Sequence, residues 1–192
     1  MRKTILAFGA SVSSTSVNQQ LALFAASILQ ETEVKTINLA EYQCEIYSQD
    51  VEASSGIPQV ILDLDKLFKS VDGFIISFAE HNYSYTAAYK NTFDWLTRAN
   101  GKDLKSIFGD KPCLFLSCSP SNYGGAAVME TTLKFYHLFG ARVAGSLSVP
   151  RSYETLQNGK LTDAALGTLL QKQVKNFENA LYGRQTKKTG CF

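Results

Sequence analysis

Thr4-Ile5-Leu6-Ala7-Phe8-Gly9-Ala10-Ser11-Val12-Ser13-Ser14-Thr15-Ser16-Val17-Asn18 decides the fold. A continuous apolar run, Thr4 to Gly9, gives way to a turn of small and hydroxyl residues. Val17, Leu21, Phe24 and Ile28 then recur at helical spacing. A buried strand that enters a helix through a polar turn opens a βα unit, and the rest of the chain repeats the pattern. Val34 to Leu39 reads as strand 2, Gly73 to Phe78 as strand 3, Pro112 to Leu116 as strand 4 and Val143 to Val149 as strand 5. Between them Val60, Leu64, Leu67 and Val71, then Tyr89, Phe93 and Leu96, then Val128, Thr132, Phe135 and Phe139 stripe three more helices. A closing helix runs from about Thr162 through Leu166, Leu170, Val174, Phe177 and Leu181. Strand 3 is apolar without alternation, which implies cover on both faces. Residues 40 to 57 follow neither period and read as a long surface loop.

Five strands and five helices in this alternation predict an α/β fold, a three-layer doubly wound parallel sheet of the flavodoxin-like kind with order 2-1-3-4-5. Ligands of such sheets sit beyond the carboxyl ends of the strands, at the switch point beside strands 1 and 3. The chain has 192 residues, 45% of them hydrophobic and 19% charged, enough for one self-sufficient core and too apolar for a disordered segment. We expect a single flavodoxin-like domain over 1–183 and a basic tail over 184–192, since RQTKKTGCF carries Arg184, Lys187 and Lys188 and no acid. Without those three cations the formal charge of +2 becomes −1, so the body has no basic face for nucleic acid. No apolar run reaches membrane-spanning length, and no membrane partner is expected. Cys44, Cys113, Cys118 and Cys191 form no C-x-x-C and read as free thiols of a reducing compartment. With two histidines in the chain no metal site is expected. Arg2 and Lys3 precede an apolar stretch too short for a signal peptide, and the chain reads as cytoplasmic.

Three loops at the strand ends carry the chemistry. The first supplies five hydroxyls from Ser11 to Ser16 at a helix N-terminus, an arrangement suited to an anion such as phosphate; the alternative is that one of Ser14, Thr15 or Ser16 caps the helix. It has neither the spaced glycines of a dinucleotide fingerprint nor the Gly-Lys of a Walker loop. The second, Ala79-Glu80-His81-Asn82-Tyr83-Ser84-Tyr85-Thr86, is polar and aromatic and suits a flat heterocycle. His81 invites a general-base reading, yet no Ser-His-Asp or Cys-His-Asn order surrounds it, so it is read as lining the ring. The third, Ser117-Cys118-Ser119-Pro120-Ser121-Asn122-Tyr123-Gly124-Gly125, has two glycines that would let backbone approach a ligand.

With these residues in place the sequence resembles the NAD(P)H-dependent FMN reductase family, which includes quinone, chromate and azo-dye reductases. Ser11 through Leu21 is similar to its G-S-x-R-x-x-S-x-N-x-x-L loop. Glu80-His81-Asn82-Tyr83-Ser84 with Lys90-Asn91-Thr92-Phe93-Asp94-Trp95 is similar to P-E-Y-N-x-S-x-P-x-x-L-K-N-x-x-D-W. The resemblance implies that Ser11, Ser13, Ser16, Val17 and Asn18 hold the FMN phosphate, with Ser16 and Asn18 facing it. It implies that Ala79, Glu80, His81, Asn82 and Ser84 meet the isoalloxazine edge, and that Ser117, Ser119, Asn122, Tyr123, Gly124 and Gly125 line its other side. Lys90, Asn91, Asp94 and Trp95 would support the ring loop. It further implies a flavoprotein oxidoreductase in which NADPH or NADH is co-substrate, FMN rather than a side chain carries the chemistry, and a small molecule accepts the electrons. A homodimer or homotetramer is expected, with Tyr83, Tyr85 and Tyr89 as an interface patch. The chain departs from the pattern at Ala10 for Gly, Ser13 for Arg, Ala79 and Thr86 for Pro and His81 for Tyr, so no guanidinium reaches the phosphate loop from Ser13. Two other functions fit the same fold: a flavodoxin-type electron carrier and a non-catalytic flavin-binding sensor.

Overall fold

The computed structural model describes residues 2–101 and 103–183; the basic tail and Cys191 lie outside them. Five parallel strands, β1 (Lys3–Ala10), β2 (Thr32–Thr36), β3 (Gly73–Phe78), β4 (Lys111–Cys118) and β5 (Ala141–Val149), pair in the order β2-β1-β3-β4-β5. Among the described residues six α-helices of seven residues or more accompany them, besides the single turn Ser152–Thr155: α1 (Val17–Ser27), α2 (Gln49–Ser55), α3 (Gln59–Ser70), α4 (Ala87–Ala99), α5 (Ala126–Phe135) and α6 (Ala164–Tyr182). This is the flavodoxin-like order that the sequence predicts.

The period of two sorts each buried strand between two cores. Leu6 and Phe8 of β1, Phe74, Ile76 and Phe78 of β3, and Cys113 and Phe115 of β4 face α3, α4 and α5. Ile5, Ala7, Ile75, Leu114, Leu116 and Cys118 face α1 and α6. Aromatic rings dominate the first core: Phe78 lies 5.4–5.7 Å from Tyr85, Tyr89, Phe115 and Tyr136, with the rings edge to face. Each such ring stabilises the fold by roughly 1.5–3 kcal/mol through burial alone.

The stretch from 40 to 57 is not a plain loop. It holds a 3-10 turn at Leu39–Tyr42 and the helix α2. Ser48 caps α2 through Val51 N–H and Gly56 ends it at φ 73°, so its start and stop signals are present in the sequence. No residue of α2 is buried, which is why no apolar period marks it. The excursion is fastened to α4: Asn91 accepts from Tyr47 N–H at 2.8 Å and donates to the carbonyls of Cys44 and Glu45. Trp95 Nε1–H donates to Glu45 O at 2.8 Å, and Arg98 pairs with Glu52 at 2.9 Å. Asn91 and Trp95, expected beneath the ring loop, thus brace this excursion instead, while Lys90 and Asp94 pair with one another at 2.6 Å.

Two short hairpins escape the sequence reading. Glu80–His81 pairs with Ser84–Tyr85 directly after β3, and Leu156–Gln157 pairs with Lys160–Leu161 before α6. Strands of two residues are too short to show alternation. Among the described residues no helix is long and apolar enough to cross a membrane.

Candidate active site

Where β1, β3 and β4 end, the first turn of α1, the hairpin after β3 and the loop after β4 enclose a cleft of about 310 Å³. Ser11, Ser13, Ser16, Val17, Asn18, Ala79, Glu80, His81 and Ser119 line it, all of them anticipated from sequence. Thr15, Cys118, Pro120 and Tyr153 line it as well. A 260 Å³ depression at the C-terminal end of α1, bordered by Leu29, Glu31 and Lys175, has no such convergence of strand ends.

Gly9 allows the hydroxyl loop to exist in this form. A Cβ on it would collide with the backbone nitrogen of Gln19 and lie 2.8 Å from the Asn18 carbonyl carbon, so the close approach of β1 to the first turn of α1 at this position requires glycine. Gln19 holds that contact by accepting from Gly9 N–H at 2.6 Å and donating to Ile37 O at 3.1 Å. Sequence reasoning did not single out Gln19, since nothing in its neighbours marks where its amide reaches.

Beyond Gly9 the hydroxyls are oriented by backbone. Ser11 Oγ accepts from Ser13 N–H at 3.2 Å, Ser13 Oγ accepts from Thr15 N–H at 3.3 Å, and Ser16 Oγ, the N-cap of α1, accepts from Gln19 N–H at 3.1 Å. Ser16 is therefore a cap, and capping uses its lone pair while leaving its O–H proton to donate. Val17 and Asn18, at the first two positions of α1, have no acceptor for their backbone N–H groups among the described residues. Hydroxyl protons, unpaired amides and the positive end of a helix dipole meet at one point, which is the donor set a phosphate requires.

Asn18 has a different duty from the expected one. It is 3% exposed, accepts from Ser77 Oγ at 2.7 Å and Cys118 N–H at 3.0 Å, and donates to Cys118 O at 3.1 Å. Its side chain joins α1 to β3 and β4 at the floor of the cleft. Ser117 is also turned inward: fully buried, it donates to Gly124 O at 2.8 Å and lies 2.9 Å from Ser148 Oγ. The two glycines press on protein rather than ligand, because a Cβ on Gly124 would meet Pro150 N at 2.7 Å and one on Gly125 would meet Ser117 Cβ at 2.9 Å. Asn82, Ser84, Ser117, Asn122, Tyr123, Gly124 and Gly125 are outside the cleft lining.

Tyr153 was missed. It stands 72% exposed on the helical turn Ser152–Thr155, which is pinned to the third loop by Arg151 N–H to Ser121 O at 2.9 Å and Ser152 N–H to Ser119 O at 3.0 Å. Pro150 was the only local signal of a turn there. Tyr89, expected in a surface patch, is buried and shares a 2.7 Å hydrogen bond with Tyr136. Burial pushes the Cys118 thiol up to about 12, so this cleft-lining sulfur stays protonated and is not a nucleophile. No group of three or more His, Cys, Asp or Glu suited to a metal occurs among the described residues.

Residues 3–155 match the family of NADPH-dependent FMN reductases. The chain belongs to that family. This reductase is an oxidoreductase whose cofactor is FMN, with NADPH or NADH as co-substrate. It is 31% identical over 141 residues to the MG342 homolog of Mycoplasma pneumoniae, covering 71% of the reductase and 81% of that protein. It is 33% identical over 81 residues to the quinone reductase of Escherichia coli, a match spanning 42% of the reductase and 41% of that enzyme. Among solved structures it is similar to FerB, a flavoenzyme NAD(P)H:(acceptor) oxidoreductase of Paracoccus denitrificans, with TM-score 0.76 and 22% identity over 95% of the reductase and 98% of that chain. An NAD(P)H:quinone oxidoreductase of Methanothermobacter marburgensis gives TM-score 0.61 at 15% identity over 93% and 96% of the two chains. At these identities the structural likenesses speak for the fold alone.

Proposed function

We propose that this reductase moves a hydride from NADPH or NADH, by way of FMN held in the cleft between α1, the 80–85 hairpin and the 119–120 loop, to a small acceptor such as a quinone, free flavin or azo compound. The observation that carries this reading is the set of cleft-lining serine hydroxyls, Ser11, Ser13 and Ser16, each fixed by a backbone N–H, beside the unpaired amides of Val17 and Asn18. Ser11, Ser13, Ser16 and those two amides hold the phosphate, while Ala79, Glu80 and His81 flank the ring and Ser119, Pro120 and Tyr153 border its other side. When bound, FMN supplies reversible two-electron chemistry that no side chain can perform. NAD(P)H and a quinone with one proton give NAD(P)⁺ and the hydroquinone, so no external oxidant or reductant is needed. The protein's part is to seat the phosphate, keep one ring face open to each substrate in turn and leave the proton to solvent or to the exposed His81.

A cleft open at Tyr153 favours a flat acceptor that stacks over one that must be enclosed. The decisive measurement is the visible spectrum of the protein with FMN, followed anaerobically with NADPH and separately with NADH. Bleaching by either supports the proposal and ranks the two nucleotides. Bound FMN that neither bleaches would make the protein a flavodoxin-type carrier or a sensor, and absence of binding would overturn the site.

We further infer a homodimer built on α4. Its exposed ridge of Lys90 and Asp94 runs between two largely apolar grooves, one containing Tyr85, Phe93, Phe135 and Phe139 and the other Cys44, Ile46 and Tyr47. A twofold-related copy would set Asp94 against Lys90 and Lys90 against Asp94, so the surface complements itself. Light scattering should give twice the chain mass, and Lys90→Glu should lower it; a native monomer refutes the interface.

A further inference from the structure

The hairpin that forms one wall of the cleft has only two bridged pairs, Glu80 with Tyr85 and His81 with Ser84. It turns through Asn82 at φ 51° and Tyr83 at φ 64°, both left-handed, and Tyr is a poor residue for that conformation. A two-stranded ribbon this short has no stability of its own. Across from it, α5 starts at Gly125, which has no side chain to accept from the first-turn N–H groups. Each element lacks what the other supplies. Glu80 Oε2 accepts from Val128 N–H at 2.9 Å, the third position of α5, and so caps that helix from a distant part of the chain. A carboxylate there is favoured by the helix dipole as well as by the hydrogen bond. At the other hairpin strand Tyr85 Oη lies 2.9 Å from Thr132 Oγ1; since Thr132 donates to Val128 O at 2.7 Å, Tyr85 is the donor.

We propose that Glu80 is a positioning residue: its carboxylate docks the hairpin on the N-terminus of α5 and thereby sets the wall against which the flavin ring lies. The side chain does not hold the cofactor phosphate. By occupying the α5 N-terminus it also leaves α1 as the anion seat of the cleft. The proposal rests on the assignment of the cleft to FMN, and that dependence can be tested separately. Riboflavin has the ring without the phosphate, so a wall residue affects both ligands and a phosphate residue affects FMN alone.

The experiment uses the full chain and three variants. In Glu80→Ala the amides of His81, Ser84 and Val128 should exchange hydrogen at least tenfold faster in the ligand-free protein, and affinity for FMN and riboflavin should fall together, by tenfold or more. Glu80→Gln keeps a carbonyl oxygen for Val128 N–H and should stay within threefold of the native protein in all three readouts. Tyr85→Phe removes the second anchor alone and should shift exchange and both affinities in the same direction by a smaller factor, which keeps the test open if Glu80→Ala does not fold. Native exchange in Glu80→Ala or Tyr85→Phe, or a loss confined to FMN, overturns the proposal. A Ser16→Ala variant that binds FMN and riboflavin as the native protein does would instead overturn the phosphate assignment while the exchange result stands.

Discussion

Asn18→Ala should unfold this protein far more readily than a substitution in a ligand-facing loop would. The side chain satisfies three groups inside the sheet: the Ser77 hydroxyl, fully buried, and the N–H and C=O of Cys118 at the end of β4. Removing the amide leaves these without partners, and each orphaned buried polar group costs about 1–3 kcal/mol. Ser77 can rotate its hydroxyl and recover part of its share, so the total falls at roughly 3–5 kcal/mol. With a urea m-value of about 2 kcal/mol/M, that moves the midpoint down by roughly 1.5–2.5 M. Asn18→Asp should be at least as harmful, because it keeps the oxygen that accepts from Ser77 and Cys118 but sets a second oxygen against the Cys118 carbonyl where an N–H had donated. Trp95, the chain's single tryptophan, is fully buried with its ring edge on Tyr47, so its fluorescence reports global unfolding of the ligand-free protein directly. A midpoint shift under 0.5 M in Asn18→Ala would refute the reasoning and mean that water entering from the cleft replaces the amide.

Ser16→Ala removes an N-cap and a cleft-lining hydroxyl, and should cost about 1 kcal/mol of stability while weakening FMN more than riboflavin in a fluorescence titration. Gly9→Ala should destabilise by more than 3 kcal/mol in the same urea assay, because its Cβ meets backbone that cannot move without separating β1 from α1. His81→Tyr should leave the steady-state rate within a few-fold, since His81 is exposed and makes no side-chain hydrogen bond among the described residues; a collapse would assign it a proton-donor role. Stability should fall in alkali: the Cys118 thiol ionises near 9 in the unfolded chain and is pushed up to about 12 by burial in the fold, so its contribution is complete below pH 9 and is lost as pH rises toward 12, about 2 kcal/mol at pH 10.5. Burial raises Tyr89 and Tyr136 in the same direction, and an unchanged urea midpoint between pH 7.5 and 10.5 would contradict all three.

The sheet was legible because a strand covered on both faces shows no polar alternation, and Gly73 to Phe78 has four large apolar residues in six, its one polar side chain, Ser77, being satisfied internally by Asn18. The hydroxyl loop stands out in the sequence because five hydroxyls in six residues at a helix start are hard to explain by capping alone. What sequence cannot give is direction. Asn18 and Ser16 lie two residues apart in one motif, yet helical geometry turns the Asn18 side chain onto the strand ends of β3 and β4 while Ser16 caps the helix. Gly124 and Gly125 read as room for a ligand and proved to be room for β5 and Ser117. Tyr153 reaches the cleft only because backbone bonds from Arg151 and Ser152 fold its turn over the third loop, a pairing between segments some thirty residues apart that no local pattern reports.

The joint between α4 and the 40–57 excursion changes how the K-N-x-x-D-W string should be used. Asn91 and Trp95 hold carbonyls of Cys44 and Glu45, and Lys90 and Asp94 hold each other. None of the four belongs to the cleft lining. The string therefore marks a mechanical coupling, and a chain that carries it declares a shared scaffold whatever chemistry its strand-end loops perform. In assigning activity to unfamiliar sequences, that string is a guide to shape, and the strand-end loops are the place to look for what the chain binds.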